Sequence, residues 1–159
     1  MIALLATIWR TLPERAQWRL LWLLNPKFTV GVSGVVLDDA GRVLLLKHTF
    51  RRRYPWGLLS GWVKGGEALE DALRREAMEE TGLSISVERL VAVRKDRFSL
   101  FLEAVYACRV SGGNFRPSNE ISEMRWCAVN SLPAGTHPDH APLIRGLKNS
   151  QEVSRIPLE

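Results

Sequence analysis

Cysteine is scarce in this chain. The 159 residues contain two, Cys108 and Cys127, and they form no ligand-spaced pair. That spacing argues against a cysteine-based zinc site and fits small buried side chains in a reducing cytoplasm; a disulfide would need the two strands to be neighbours in an oxidising compartment. Histidine is equally sparse: His48, His137 and His140 show no metal-ligand spacing and read as surface residues. No apolar run reaches the ~18–20 residues needed to span a bilayer. The richest stretch, Met1 to Leu24, is interrupted by Arg10, Glu14, Arg15 and Arg19. It also lacks the basic start and small-residue cleavage site of a secretory signal. Neither internal repeats nor low-complexity segments occur. The expected location is the cytoplasm.

What remains describes one globular domain with an appended arm. An apolar share of 46% with 25% charged residues is that of a soluble fold, and the length suffices for a real core. The net charge of +5 favours anionic ligands such as nucleotides, nucleic acid or an anionic membrane, without choosing among them. Residues 1–25 read as two short amphipathic helices broken near Pro13, residues 26–150 as the domain and residues 151–159 as a tail. Trp9, Trp18 and Trp22 stand beside arginines. Packing against the domain or a partner subunit is their expected use, which makes a homodimer plausible, and membrane-surface contact is the lesser alternative.

Along the domain, Phe28 to Leu37 alternates as a strand, Asp38 to Gly41 is a turn, and Arg42 to Lys47 returns as a second strand. His48 to Tyr54 is basic and reads as a loop. The spacing predicts a helix from about Ala68 to Glu80 with Gly82 as its stop, its apolar side made by Ala72, Leu73, Ala77 and Met78 and its carboxylates on the other side. Ser84 to Lys95 and Phe98 to Val110 read as strands, Ser111 to Asn114 as a turn and Met124 to Val129 as another strand. Pro138 to Lys148 closes the domain as a helix. This order indicates an α+β sheet domain.

Chemistry concentrates between Gly61 and Leu83. On a helix, Glu76, Glu79 and Glu80 at i, i+3 and i+4 share a face, where three like charges repel. Bound divalent cations give such a cluster a purpose, because hard ions such as Mg²⁺ prefer carboxylate oxygen. Arg75 can pair with a neighbouring carboxylate and fix its rotamer. Glu67 lies at the expected helix start, where unpaired N–H groups favour a carboxylate. Gly65 and Gly66 supply turns and clearance.

This stretch resembles the signature of the Nudix hydrolases, Gx5Ex7REUxEExGU, with U a bulky aliphatic residue. Gly61, Glu67, Arg75, Glu76, Glu79, Glu80 and Gly82 occupy every fixed position, Leu83 fills the last aliphatic slot, and Ala77 fills the other with a smaller residue. Seven such matches have a chance probability on the order of 10⁻⁹ at average residue frequencies. The resemblance implies an α/β/α sandwich around a mixed sheet, covering about Phe28 to Lys148 and leaving out the arm. It implies Mg²⁺ or Mn²⁺ as cofactor, with Glu76 and Glu80 as leading ligands, Glu79 as a third or shared one, and the Gly61 carbonyl completing the shell. Glu79, Glu120 and Arg75 make up the expected catalytic set, and Glu67 and Gly82 have structural places in the box. A base or extra ligand from a later loop is a habit of the family; Glu120 is the first choice here and Glu123 the second.

Substrate contacts are read from the residues. Arg51, Arg52 and Arg53 suit phosphate oxygens, although a solvated loop explains them equally well. Trp56 or Phe50 can stack on a base, although Trp56 reads first as packing beneath the box, since large aromatics usually serve the core. The chain departs from the common Pro-Gly-Gly approach by carrying Leu59-Ser60-Gly61, which bears on the loop's stiffness more than on its chemistry. Markers of three subfamilies are absent: Ser99 stands where ADP-ribose pyrophosphatases carry proline, Leu100 and Phe101 where diadenosine polyphosphate hydrolases carry tyrosine, and no SQPWPFPxS motif occurs. The expected activity is metal-dependent hydrolysis of a phosphoanhydride in a nucleoside diphosphate linked to another group, a nucleoside triphosphate or a nucleotide sugar. A non-catalytic nucleotide-binding domain and an RNA 5′-end pyrophosphohydrolase are the alternatives; nothing in the sequence argues strongly for nucleic acid.

Overall fold

A computed structural model describes residues 9–95 and 99–153. After the arm helix α1 (Glu14–Leu24), the domain runs β1 (Thr29–Val36), β2 (Arg42–His48), β3 (Trp56–Gly57), β4 (Leu59–Trp62), α2 (Leu69–Thr81), β5 (Leu83–Lys95), β6 (Phe101–Gly113), β7 (Ile121–Ala128) and α3 (His140–Val153). Two sheets form. One has the order β4-β1-β6-β5 and the other β3-β2-β7. β1 runs parallel to β6 and antiparallel to β4, so the larger sheet is mixed.

Both faces of the sheet layer are apolar, and each face takes a helix. On one face, Val32 and Val36 of β1, Leu44 and Leu46 of β2, and Ala104 and Tyr106 of β6 pack against Ala72, Leu73 and Ala77 of α2. On the other, Val35, Val43, Leu45 and Val105 pack against Ile144 and Leu147 of α3. The period-2 alternation of each strand thus feeds two cores, which is why β1 and β2 read as nearly continuous apolar runs. The result is the expected α/β/α sandwich. Both cysteines are free and buried in it.

Several expectations about elements are corrected. β6 runs through Gly113, so the turn expected at Ser111 to Asn114 comes later. β7 begins at Ile121 rather than Met124 because Ile121 still pairs with His48. Phe98, the expected start of a strand, lies outside the described residues. Met78 is half-exposed and does not join the apolar side of α2. The carboxylates do not all occupy the opposite side either. Glu76 follows Leu73 by three residues and Glu80 follows Ala77 by three, so both are wound onto the packed face and Glu80 is buried.

The arm breaks at Pro13 as expected, with residues 9–11 helical before it. α1, however, buries no residue, and Trp18 and Trp22 remain 65% and 66% exposed. Packing of this helix against its own domain is therefore not observed. No described helix is long and apolar enough to cross a membrane.

Leu73 is fully buried between α2 and the sheet. Leu73→Ala is expected to cost about 2–5 kcal/mol by loss of transfer energy and creation of a cavity. Urea unfolding checks this, and a loss under 1 kcal/mol would mean the α2 core is not packed as described.

Candidate active site

A cleft of about 1250 Å³ opens where the two sheets part. α2 supplies Arg75, Glu76, Glu79 and Glu80 to its wall, β4 supplies Ser60, Gly61 and Trp62, and Glu120 approaches from the segment before β7. His48 comes from the end of β2, Arg51, Arg53 and Tyr54 from the β2–β3 connection, and Arg94, Phe101 and Glu103 from β5 and β6. The structure therefore brings together most of the residues singled out in the sequence. Arg52, Trp56, Glu67, Gly82 and Glu123 do not line the cleft.

Gly61 sets the position of the Glu76 side chain. A Cβ built on it would lie 2.0 Å from Glu76 Cγ and 2.2 Å from its Cδ. Absence of a side chain is what allows the Glu76 carboxylate to lie directly over β4. Ser60 and Gly61 are held in register with Ser33 and Val32 of β1, so strand pairing supplies the stiffness that a preceding proline would otherwise give.

Arg75 organises the carboxylates. Its Nε donates to Glu67 Oε1 at 2.8 Å, Nη1 to Glu76 Oε1 at 2.8 Å and to Glu79 Oε2 at 3.1 Å, and Nη2 to the Trp62 carbonyl at 2.9 Å. Expected in the catalytic set, Arg75 is placed as a clamp on the other residues. Glu67 does not cap the helix, whose N-cap Ala68 makes no side-chain bond. It accepts instead from Arg75 and from the Lys64 N–H at 3.1 Å, and these bonds in that order depress its pKa to about 2. Gly82 adopts φ +71° at the helix C-cap, a left-handed conformation that glycine takes without strain.

Glu80 is the exception to this pairing. It is 8% exposed, and its Oε2 makes no hydrogen bond. Burial, then the charges of Glu76 and Glu120, raise its pKa to about 8, against the opposing pull of Arg51. A buried carboxylate oxygen without a donor is costly, and a cation entering the cleft would relieve it. Glu76, across the Gly61 cradle, and Glu80 thus fit a divalent metal by donor type and position. Among the described residues no three acidic, histidine or cysteine side chains already stand as a ligand cluster, and Arg75 engages Glu76 and Glu79.

Glu120 sits beside the β2–β7 irregularity at Lys47/His48, where its carbonyl accepts the Thr49 N–H at 2.8 Å. Glu123 instead pairs with Arg125 at 2.7 Å and Lys47 at 3.3 Å, which in that order lower its pKa and tie it to the sheet outside the cleft. Arg51 reaches Ser60 Oγ at 3.3 Å and is half-buried, while Arg52 is exposed. Trp56 follows its packing reading, and its place among the substrate contacts is corrected: at 6% exposure it packs with Leu45 and Leu58, under the guanidinium of Arg125.

The histidines are also corrected. His48 and His140 are buried rather than on the surface, and His140 Nδ1 accepts the Leu58 N–H at 3.1 Å. Burial first, then nearby positive groups, push His48 down to about 4 and His140 to about 3, so both are neutral. The period-2 series Leu44, Leu46, His48 along β2 was the signal available in the sequence for His48. Trp62, Phe101, Arg94 and Glu103 were not singled out as site residues; only strand register reveals that they share a face.

A mixed sheet between helices, one of which sets glutamates over an edge-strand glycine in a cleft lined by both arginines and carboxylates, is the arrangement of a pyrophosphohydrolase. The Nudix domain family matches residues 27–147, and the chain belongs to it. A "MutT-like protein" of Streptomyces ambofaciens is 33% identical over 107 residues, 67% of this chain and 68% of that protein. An "ADP-ribose pyrophosphatase" of Methanocaldococcus jannaschii is 31% identical over 124 residues, 73% of this chain and 70% of that protein. Among solved structures, a Nudix hydrolase from Nitrosomonas europaea superposes with a TM-score of 0.73 at 17% identity, over 85% of this chain and 78% of that one, a likeness of fold.

Gly61→Ala is expected to displace Glu76 by about 1 Å or more and to lower kcat by about 10²-fold with little change in folding. Steady-state kinetics beside a urea melt separate these effects; unaltered kcat would show that the cradle is not needed.

Proposed function

We propose that the protein hydrolyses the phosphoanhydride of a nucleoside diphosphate linked to a second group, with Mg²⁺ or Mn²⁺. The observation that carries this reading is the unpaired, buried Glu80 Oε2 beside Glu76 and Glu120. Bound divalent ions would neutralise the diphosphate's negative oxygens and make both phosphorus and water more reactive. Glu76 and Glu80 hold them, with Glu79 and the Gly61 carbonyl as further donors. Arg75 keeps Glu76 aimed over Gly61 and neutralises part of the acidic cluster.

Glu120 is the general base in this scheme: it shares the cleft with Glu80 and, unlike Glu123, lines its wall. Arg51 and Arg53 line the same cleft and bind the outer phosphate or the second group. The name of the M. jannaschii relative supports a substrate in which a nucleoside diphosphate carries such a group.

Phosphate and nucleotide release from nucleoside triphosphates, nucleotide sugars, ADP-ribose and dinucleotides, with Mg²⁺, Mn²⁺ or chelator, tests the proposal. Release from one class that chelator abolishes is expected, with Glu80→Gln losing about 10²-fold or more in kcat while folding normally. Turnover indifferent to chelator and to Glu80→Gln would overturn it. Arg51→Ala is expected to raise KM about 10-fold by removing one charged contact, and Arg52→Ala to leave KM unchanged. Equal effects of the two would remove Arg51 from the substrate site.

A further inference from the structure

The proposed function leaves open how the nucleoside end is held, and the side of the sheet away from α2 carries an unused feature. β4 pairs Trp62 with Gly31, and β1 pairs Gly31 with Glu103, so Trp62, Gly31, Phe101 and Glu103 project from one face. Trp62 is 59% exposed, the Phe101 ring is half-buried, and their centroids lie 5.2 Å apart at an interplanar angle of 66°. Phe101 lies down on the β1 backbone: a Cβ on Gly31 would fall 2.7 Å from its ring. Its position is thereby fixed. Beyond it, the buried Glu103 carboxylate is held by Arg94 and the Ser33 hydroxyl. The aromatic pair is therefore bordered by a satisfied polar floor inside the cleft and is no part of either core.

Resting on the reading of this cleft as a nucleotide site, we infer that Trp62 and Phe101 form the shelf on which the base of the substrate stacks. Trp62 follows Gly61 directly, and its carbonyl accepts the Arg75 guanidinium. The shelf is consequently tied to the residues that set Glu76 in place. The indole and the glutamates lie on opposite faces of β4 but line one cleft, so the base on Trp62 and the phosphates at the glutamates occupy its two ends. An apolar ring left in water at the mouth of a charged cleft gains most from a flat aromatic partner, and every nucleobase offers one. The shelf selects for the presence of a base and tolerates its identity.

Nucleoside 5′-monophosphates have no anhydride to cleave, so their binding is separable from turnover. Calorimetric titration of the full chain with AMP, UMP and ribose 5-phosphate, in Mg²⁺, compares wild type with Trp62→Ala and Trp62→Phe. Both nucleotides are expected to bind about 10-fold or more weakly to Trp62→Ala and to recover most affinity in Trp62→Phe. Ribose 5-phosphate should bind weakly and equally to all three, and urea midpoints should agree. Equal wild-type affinity for AMP and ribose 5-phosphate, unchanged AMP affinity in Trp62→Ala, or no AMP binding at all would overturn the shelf. Chelator-sensitive turnover of the substrate panel would survive any of these results, so failure here is distinct from failure of the hydrolase reading.

Discussion

One guanidinium ties this site together. Arg75 bonds three carboxylates and a backbone carbonyl, and so joins the start of the box loop, two turns of α2 and the edge strand β4. Isolated surface ion pairs contribute little, but a planar fork shared among several partly shielded oxygens fixes orientation as well as charge. Without it, Glu76 and Glu79 would repel one another at the spacing the helix imposes, and Glu67, just before the helix, would add to that repulsion. Their hydrogen bonds raise the Arg75 pKa further above its already high value, so the clamp stays charged at any working pH.

The clamp is selective, and that selectivity gives the cleft its chemistry. Glu80 receives none of these bonds; it is left buried, beside like charges. A fold under selection for stability alone would not keep a carboxylate there, since an unpaired buried acid is among the costlier features a protein can carry. The two cores on either side of the sheet layer supply the stability against which this local cost is set. They also place α2 and β4 so close that a Cβ at position 61 would push the Glu76 side chain aside.

Legibility in the sequence followed the range of the interactions. The box spacing, the helix with its glycine stop and the early strands are local, and their reading agrees with the structure to within a few residues. The lining of the cleft depends on register between strands far apart in the chain. Gly31 meets Trp62 and Glu103 only through pairing with β4 and β6, and no local pattern marks Trp62 or Phe101 as neighbours. His48 and His140 were misplaced for the same reason: their burial arises from elements brought together across the fold. The misreading of α2 was of another kind. Glu76 and Glu80 lie on the packed face by simple helical geometry, a consequence of positions 73 and 77 that acidity obscured.

Metal binding itself, apart from turnover, probes this account most directly. Mn²⁺ titrated into the wild-type chain and into a Glu76→Gln/Glu80→Gln double variant, followed by electron paramagnetic resonance, reports whether these two carboxylates form the site. The account predicts bound Mn²⁺ in the wild type and its loss in the double variant at unchanged fold. Equal Mn²⁺ binding by both proteins would contradict it.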